Sequence, residues 1–150
     1  MNESDVKKWI FKAENDLKIA KDELKAELPA TDMVCFHAQQ CAEKYLKAFL
    51  VFHNKPFKKT HNLFVLIRNC ASINSEFQNL YDLGVDELTD YAIDIRYGDE
   101  FYFPSIEEAQ EAIKLAEIVR EFVIKAFEKL GVKLDPEKIL KEVRDELSQK

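Results

Sequence analysis

Apolar residues recur every three or four positions through most of the chain, and short polar stretches rich in cap-forming residues separate these runs. Such spacing predicts amphipathic helices that bury one face. From the cap residues we predict helices that begin near Ser4 or Asp5, Thr31 or Asp32, Thr60, Ser75, Ser105 and Asp135. No strand-like alternation is present, so the pattern predicts an all-α, up-and-down antiparallel bundle of five to six helices.

The sequence near the C-terminus predicts that the chain divides into two parts. Gly131 stands where a helix is expected to end in a left-handed residue. Asp135 followed by Pro136 is expected to begin a further helix that runs to about Leu147. We therefore predict a helical bundle over residues 1–131 and a polar tail helix within residues 132–150.

The composition agrees with a helical protein of the cytoplasm. Only three glycines and four prolines occur in 150 residues, too few turn residues for an all-β fold. No apolar run is long enough to span a bilayer, and the first residues do not resemble a signal peptide, so we expect a cytoplasmic protein. Cys35, Cys41 and Cys70 form no C-x-x-C pair and are expected to be buried thiols.

Charge is segregated along the chain, although the net charge of −6 by itself argues against general nucleic-acid binding. Residues 44–75 contain no acidic residue and carry +6, which leaves −12 on the remaining 118 residues. Residues 76–111 contain eleven acidic residues and one basic residue, Arg96. This segregation points to a charged ligand or to charge-complementary assembly.

A polar row on the second predicted helix is the strongest indication of a binding site. His37, Gln40, Lys44 and Lys47 are spaced so that they share one helical face. An imidazole beside ammonium groups could hold an anion such as a phosphate. The alternative is the ordinary solvated face of an amphipathic helix.

The loop after this helix adds Lys58, Lys59 and His61 beside the predicted helix start at Thr60. The N–H groups of a helix start favour anions, whereas lysines there oppose the helix dipole unless a negative partner offsets them. That partner could be a ligand, another protein or the acidic half of the same chain.

In the acidic half, aspartates recur every four residues, at Asp82, Asp86, Asp90 and Asp94. On one helix they would repel each other. They could bind a metal, but pairing with the basic segment, within or between chains, is the favoured interpretation. Aromatic residues surround Arg96, which could stack on them, reach a phosphate, or fasten a helix end to the bundle.

Common catalytic and metal-binding motifs are absent from the sequence. There is no glycine-rich phosphate loop, no H-E-x-x-H or Glu-x-x-His pair, and no Ser–His–Asp arrangement. We therefore assign no catalytic residue, no metal ligand and no cofactor.

Three segments of the chain resemble the HEPN family, in the same order and at similar spacing. They are C-F-H-A-Q-Q-C-A-E-K-Y-L-K-A at 35–48, T-H-N-L at 60–63 and I-R-Y-G at 95–98. The first helix, with Trp9, Ala13, Asp16, Leu17 and Ala20, fits the family's opening pattern, so the resemblance covers about residues 6–129.

The resemblance implies a helical bundle that commonly dimerises, associates with nucleotides or RNA, and is often paired with a small nucleotidyltransferase in toxin–antitoxin-like modules. It also implies, for many members, a ribonuclease with an Arg-x4–6-His motif at the dimer cleft. This chain departs from that motif, because the corresponding positions after Arg96 hold Phe101, Tyr102 and Phe103. Arg68 is followed by Ile, Asn and Ser at the same offsets. Without that histidine, attack by the RNA 2′-hydroxyl lacks its expected acid–base partner.

We therefore predict a non-catalytic HEPN-like homodimer that binds a nucleotide, an RNA or a nucleotidyltransferase partner. The predicted ligand-binding residues are His37, Gln40, Lys44, Lys58, Lys59, His61 and Arg96. One alternative is a metal-independent ribonuclease that uses His37 or His61 instead of the missing histidine. Another is a structural dimer whose charge segregation serves assembly.

Overall fold

The computed structural model describes residues 2–92 and 102–149, and it is 76% helical. The α-helices whose two ends both lie in these ranges are α1 (Glu3–Leu24), α2 (Thr31–Phe52), α3 (Leu63–Ala71), α4 (Asn79–Asp82), α5 (Ile106–Lys129) and α6 (Pro136–Ser148). Two 3-10 helices, Ser75–Gln78 and Val85–Thr89, flank α4. The described ranges contain no strand, so the predicted all-α bundle is confirmed.

Helix α2 lies at the centre of the bundle and packs against α1, α3 and α5. Fourteen of its 22 residues are buried, because apolar or small side chains occupy most of its circumference. Helices α1 and α2 run antiparallel: Trp9 near the start of α1 lies against Lys47 near the end of α2, and Asp16 contacts His37. The site described below lies along this helix pair.

One end of the core is aromatic. The centroid of the Phe49 ring lies 4.5 Å from that of Phe77 and 5.7 Å from that of Phe127. Phe52 packs edge-on against Phe127. The 3-10 helix Ser75–Gln78 brings Phe77 into this group, where it also meets Phe122 of α5. These edge-to-face and tilted contacts fix the segment after α3 onto α2 and α5.

Several helix caps were predicted correctly. The Ser105 hydroxyl accepts a hydrogen bond from the Glu108 N–H at the start of α5, and the Asp135 carboxylate accepts from Glu137 and Lys138 at the start of α6. Gly131 adopts the left-handed conformation with φ of 81°. Each satisfies backbone groups that a helix end leaves without a partner.

The N-caps of α1 and α2 are Asn2 and Ala30, one to three residues before the predicted caps, and neither forms a side-chain cap hydrogen bond. Two other caps were predicted two residues too early and one residue too late. The N-cap of α3 is Asn62, whose side chain accepts from Val65 N–H, while the Thr60 hydroxyl accepts from Asn62 N–H in the turn before it. The 3-10 helix after α3 is capped by Asn74 instead of Ser75. In both places a neighbouring asparagine competes with the predicted hydroxyl for the same orphan N–H groups.

Helix α6 lies against α1. Ile139 and Val143 are buried on its inner side, and Lys7 of α1 forms an exposed ion pair with Glu142 at 3.4 Å. The predicted C-terminal helix is therefore present and amphipathic. Its separation from the bundle as a distinct region stays a prediction.

A buried carboxylate joins three helices. Glu14 of α1, which is 8% exposed, accepts a hydrogen bond of 2.6 Å from the Tyr45 hydroxyl of α2. It also accepts bonds of 2.9 Å and 3.4 Å from Nε and Nη2 of Arg120 of α5. Burial and then the negative charge of Glu14 raise the pKa of Tyr45 well above its ordinary value, so the phenol stays a neutral donor.

The three cysteines are buried and free, as predicted.

Removing the cation from this cluster should destabilise the fold. Arg120→Leu leaves Glu14 buried with Tyr45 as its hydrogen-bond donor, and losing one partner of a buried ion pair typically costs about 3 kcal/mol. We expect urea denaturation to give a free energy of unfolding lower by roughly that amount. Lys114→Leu, which removes an exposed lysine from the same helix, is the control. Equal losses in the two variants would contradict a role for this cluster.

Candidate functional site

Asp16 of α1 holds two of the residues predicted to bind a ligand. One of its carboxylate oxygens lies 2.8 Å from His37 Nδ1, and the other accepts a hydrogen bond from Lys44 Nζ. Asp16 is 7% exposed, and the side chains of His37 and Lys44 are about four-fifths buried. His37 and Lys44 do share one face of α2, as predicted, but the positive charge of Lys44 is offset within the chain.

Glu43 of α2 organises a second polar cluster. Its side chain is 3% exposed; one oxygen lies 2.8 Å from His61 Nδ1 and accepts from Gln39 Nε2 at 3.1 Å, while the other accepts from Lys47 Nζ at 3.1 Å. Gln39 also donates to the His61 carbonyl at 3.3 Å. The start of α3 is thereby fastened to α2.

Gln40 joins the second cluster to the polar row that contains His37. Its amide nitrogen donates to the Gln39 side-chain oxygen at 2.7 Å. The structure therefore brings His37, Gln40 and Lys44 together along α2, with His61 reached through Gln39 and Glu43. The sequence did not identify Asp16 and Glu43 as the partners of these residues, since pairing across helices leaves no signal in spacing along one helix.

Both histidines have the geometry of a carboxylate–imidazole pair. An ionised carboxylate only accepts hydrogen bonds, so Nδ1 of His37 and of His61 carries the hydrogen when each ring is neutral. The lone pair then resides on Nε2, which is the atom able to take a proton. His61 is the more open of the two, with 47% of its side chain exposed against 20% for His37.

The loop between α2 and α3 turns at Asn54, which has a positive φ of 53° and accepts a hydrogen bond from the Asn2 side chain. His53 packs against the Phe49 and Phe52 rings, and burial lowers its pKa. Its Nε2 is buried and has no hydrogen-bond partner among the described residues. His53 therefore anchors the loop as a neutral, largely apolar ring.

Lys58 and Lys59 stand at the outer side of this loop. Both are exposed, and neither forms an ion pair within residues 2–92 and 102–149. Phe57, immediately before them, packs edge-on against Trp9 of α1 with ring centroids 6.3 Å apart. The loop thus presents two uncompensated cations from a fixed aromatic anchor.

The predicted acidic helix is interrupted. Gly84, with φ of 79°, separates α4 from the 3-10 helix Val85–Thr89, so Asp82 and Asp86 do not lie on one continuous helix. Within the described ranges no group of acidic, His and Cys residues is arranged to hold a metal, and no ion pair joins Asp82, Asp86 or Asp90 to the basic segment. Asp94 lies outside the described residues.

Arg96, the remaining predicted ligand-binding residue, also lies outside the described residues. Tyr91 precedes residues 93–101 and Tyr102 follows them, and both donate hydrogen bonds to Glu108 of α5. Burial, followed by the negative charge of Glu108, raises the pKa of nearby Cys35 to about 12. Glu108 therefore joins Tyr91 and Tyr102 to α5.

Comparison with known proteins agrees with this architecture. The model of the HEPN domain family matches residues 6–130. The chain belongs to the HEPN family. A crystal structure of an archaeal HEPN homologue is similar to it, with 25% sequence identity and a TM-score of 0.59 over 79% of this chain and 93% of that one. Comparison with curated proteins finds no match.

The HEPN match includes both polar clusters and the loop between α2 and α3, and it ends before α6. Among the helices that the structure describes, none is long and apolar enough to cross a membrane.

Proposed function

We propose that this HEPN domain binds a phosphate-bearing ligand, a nucleotide or a short RNA, through the loop between α2 and α3 and the adjacent polar row of α2. The observation that carries the proposal is the pair Lys58 and Lys59. These lysines are exposed, adjacent, and without an acidic partner in the described part of the chain. Uncompensated ammonium groups on a fixed loop attract anions.

The other predicted residues would contribute unequally. His61 lies beside the lysines with nearly half of its side chain exposed, so it can donate to a phosphate once protonated. His37, Gln40 and Lys44 are engaged with Asp16 or Gln39, so they would line the site and add less charge. The proposed role of Arg96 rests on the family resemblance.

Removing the two loop lysines should weaken binding. Exposed charge contacts contribute about 0.5 kcal/mol each, so Lys58→Ala/Lys59→Ala should reduce affinity for ATP or a short RNA about five-fold. Affinity should also fall as salt rises, since mobile ions screen exposed charges. Titration calorimetry at low salt measures both effects.

The matched control for this experiment is Lys114→Ala/Lys125→Ala, which removes two exposed lysines of α5 and leaves the loop unchanged. The proposed site would be refuted if neither ATP nor the short RNA gives heat, or if the two double variants bind with equal affinity.

We also propose that the domain is non-catalytic, because no arginine of the sequence is followed by histidine at the spacing of the family's ribonuclease motif. A metal-independent ribonuclease is the second candidate function. The carboxylate–imidazole geometry of His37 with Asp16 and of His61 with Glu43 favours it, since each pair leaves Nε2 as a potential proton acceptor.

An RNA cleavage assay in the presence of a chelator separates these two functions. For a binding module we expect no cleavage above that of a buffer blank. Cleavage that His37→Ala or His61→Ala abolishes, and that Lys114→Ala/Lys125→Ala retains, would establish the ribonuclease instead. A nuclease contaminant would be equally active in all three preparations.

We further propose a homodimer that partners a small nucleotidyltransferase, as the family resemblance implies. Leu28 of the α1–α2 connection is 90% exposed, and Phe103, just before α5, is 72% exposed. The Thr31 hydroxyl donates to the Pro104 carbonyl at 2.6 Å, so the two segments meet, and a second chain could cover both apolar side chains there. Light scattering should give twice the chain's mass, and co-expression with the neighbouring gene product should yield a co-purifying complex. A monomer that retains no partner would refute this assembly.

A further inference from the structure

A cavity of about 300 Å³ lies beside the α1–α2 pair, and none of the residues that line it was predicted to bind a ligand. It is lined by Asp5, Lys8, Trp9 and Lys12 of α1 and by Val51 of α2. Its volume is at the lower end of the range for small-molecule sites. The lining combines the aromatic ring of Trp9, the apolar side chain of Val51, two positive charges and the negative charge of Asp5.

Trp9 is held in place from within the protein. Phe57 packs edge-on against it, and Lys47 Nζ lies 5.7 Å from the Trp9 ring centroid and 5.5 Å from that of Phe57. Lys47 is itself fixed by its ion pair with Glu43, and 8% of its side chain is exposed. A ring restrained by these contacts is a pre-organised surface on which a flat ligand loses little additional side-chain entropy.

Lys8 and Lys12 supply positive charge at the same cavity. They are exposed, stand one helical turn apart, and form no ion pair with any residue in the described ranges. Their neighbours on α1 differ: Lys7 pairs with Glu142, and Lys18 pairs with Asp22. Like charges four residues apart repel each other, so an anion between Lys8 and Lys12 would relieve an existing cost.

From these observations we infer that the cavity binds a nucleotide whose base stacks on Trp9 and whose phosphates lie between Lys8 and Lys12. Asp5 would accept a hydrogen bond from an exocyclic amino group of the base, since a carboxylate only accepts. Stacking on an aromatic side chain is the interaction that all nucleobases share. The inference rests on the proposed function for its ligand class, and it places the ligand at residues different from Lys58 and Lys59.

The two lysine pairs are connected through one contact. Phe57, which touches Trp9, directly precedes Lys58 in the loop. A nucleotide in the cavity would therefore lie next to the loop, so its phosphates would also be attracted by Lys58 and Lys59, and a longer RNA would extend onto the loop itself. Mononucleotide and RNA would both stack on Trp9, and RNA would depend more strongly on the loop.

The fluorescence of Trp9 provides the test, because it is the single tryptophan of the chain. Titration with ATP should quench it through stacking, while inorganic tripolyphosphate, which has the charge but no base, should leave it nearly unchanged. Lys8→Ala/Lys12→Ala should raise the concentration for half-quenching about five-fold, as expected for two exposed charge contacts. Lys114→Ala/Lys125→Ala should not change it. Both variants alter exposed side chains, so the fold should persist.

Calorimetry on the same samples separates this inference from the proposed function. If ATP gives heat without quenching, and Lys8→Ala/Lys12→Ala binds like the unaltered protein while Lys58→Ala/Lys59→Ala binds less, the cavity inference is wrong and the proposed function stands. Quenching by a short RNA but not by ATP overturns the mononucleotide assignment. Absence of heat with ATP and with RNA removes both.

Discussion

Three buried carboxylates on α1 and α2 constrain the rest of this structure. Glu14, Asp16 and Glu43 are each less than a tenth exposed, and burying a charge is unfavourable unless it is paired and hydrogen-bonded. Their partners come from α2, α5 and the start of α3. The need to satisfy these three groups therefore fixes how the helices and the loop after α2 are placed relative to one another.

The same constraint decides which charges remain for a ligand. Lys44 and Lys47 lie in the basic segment, yet their charges are offset by Asp16 and Glu43. The basic row that is conspicuous in the sequence is thus mainly an internal network. The exposed lysines that form no ion pair within the described residues include Lys58 on the loop and Lys8 on α1.

Sequence reasoning was sufficient where the physics is local. The apolar repeat gave the helices, and a hydroxyl or carboxylate followed by N–H groups gave the caps at Ser105 and Asp135. It misplaced the start of α3 because Thr60 and Asn62 can both accept from nearby N–H groups, and only the path of the chain decides between them. It predicted His61 as a ligand-binding residue but did not identify its partner Glu43, because Glu43 lies 18 residues earlier, on α2.

Trp9 illustrates the same limit in a different way. At helical spacing with Ile10 and Ala13, it reads as one more member of a buried stripe, and part of its ring does pack inward. Its environment depends on Phe57 and Lys47, which come from a loop and from the neighbouring helix. A cavity wall formed by two helices, with its aromatic ring held by a residue of a loop, has no linear signature. Because Lys47, which pairs with the buried Glu43, lies over the Trp9 ring, the polar cluster holds one wall of the cavity although neither Glu43 nor Lys47 lines it.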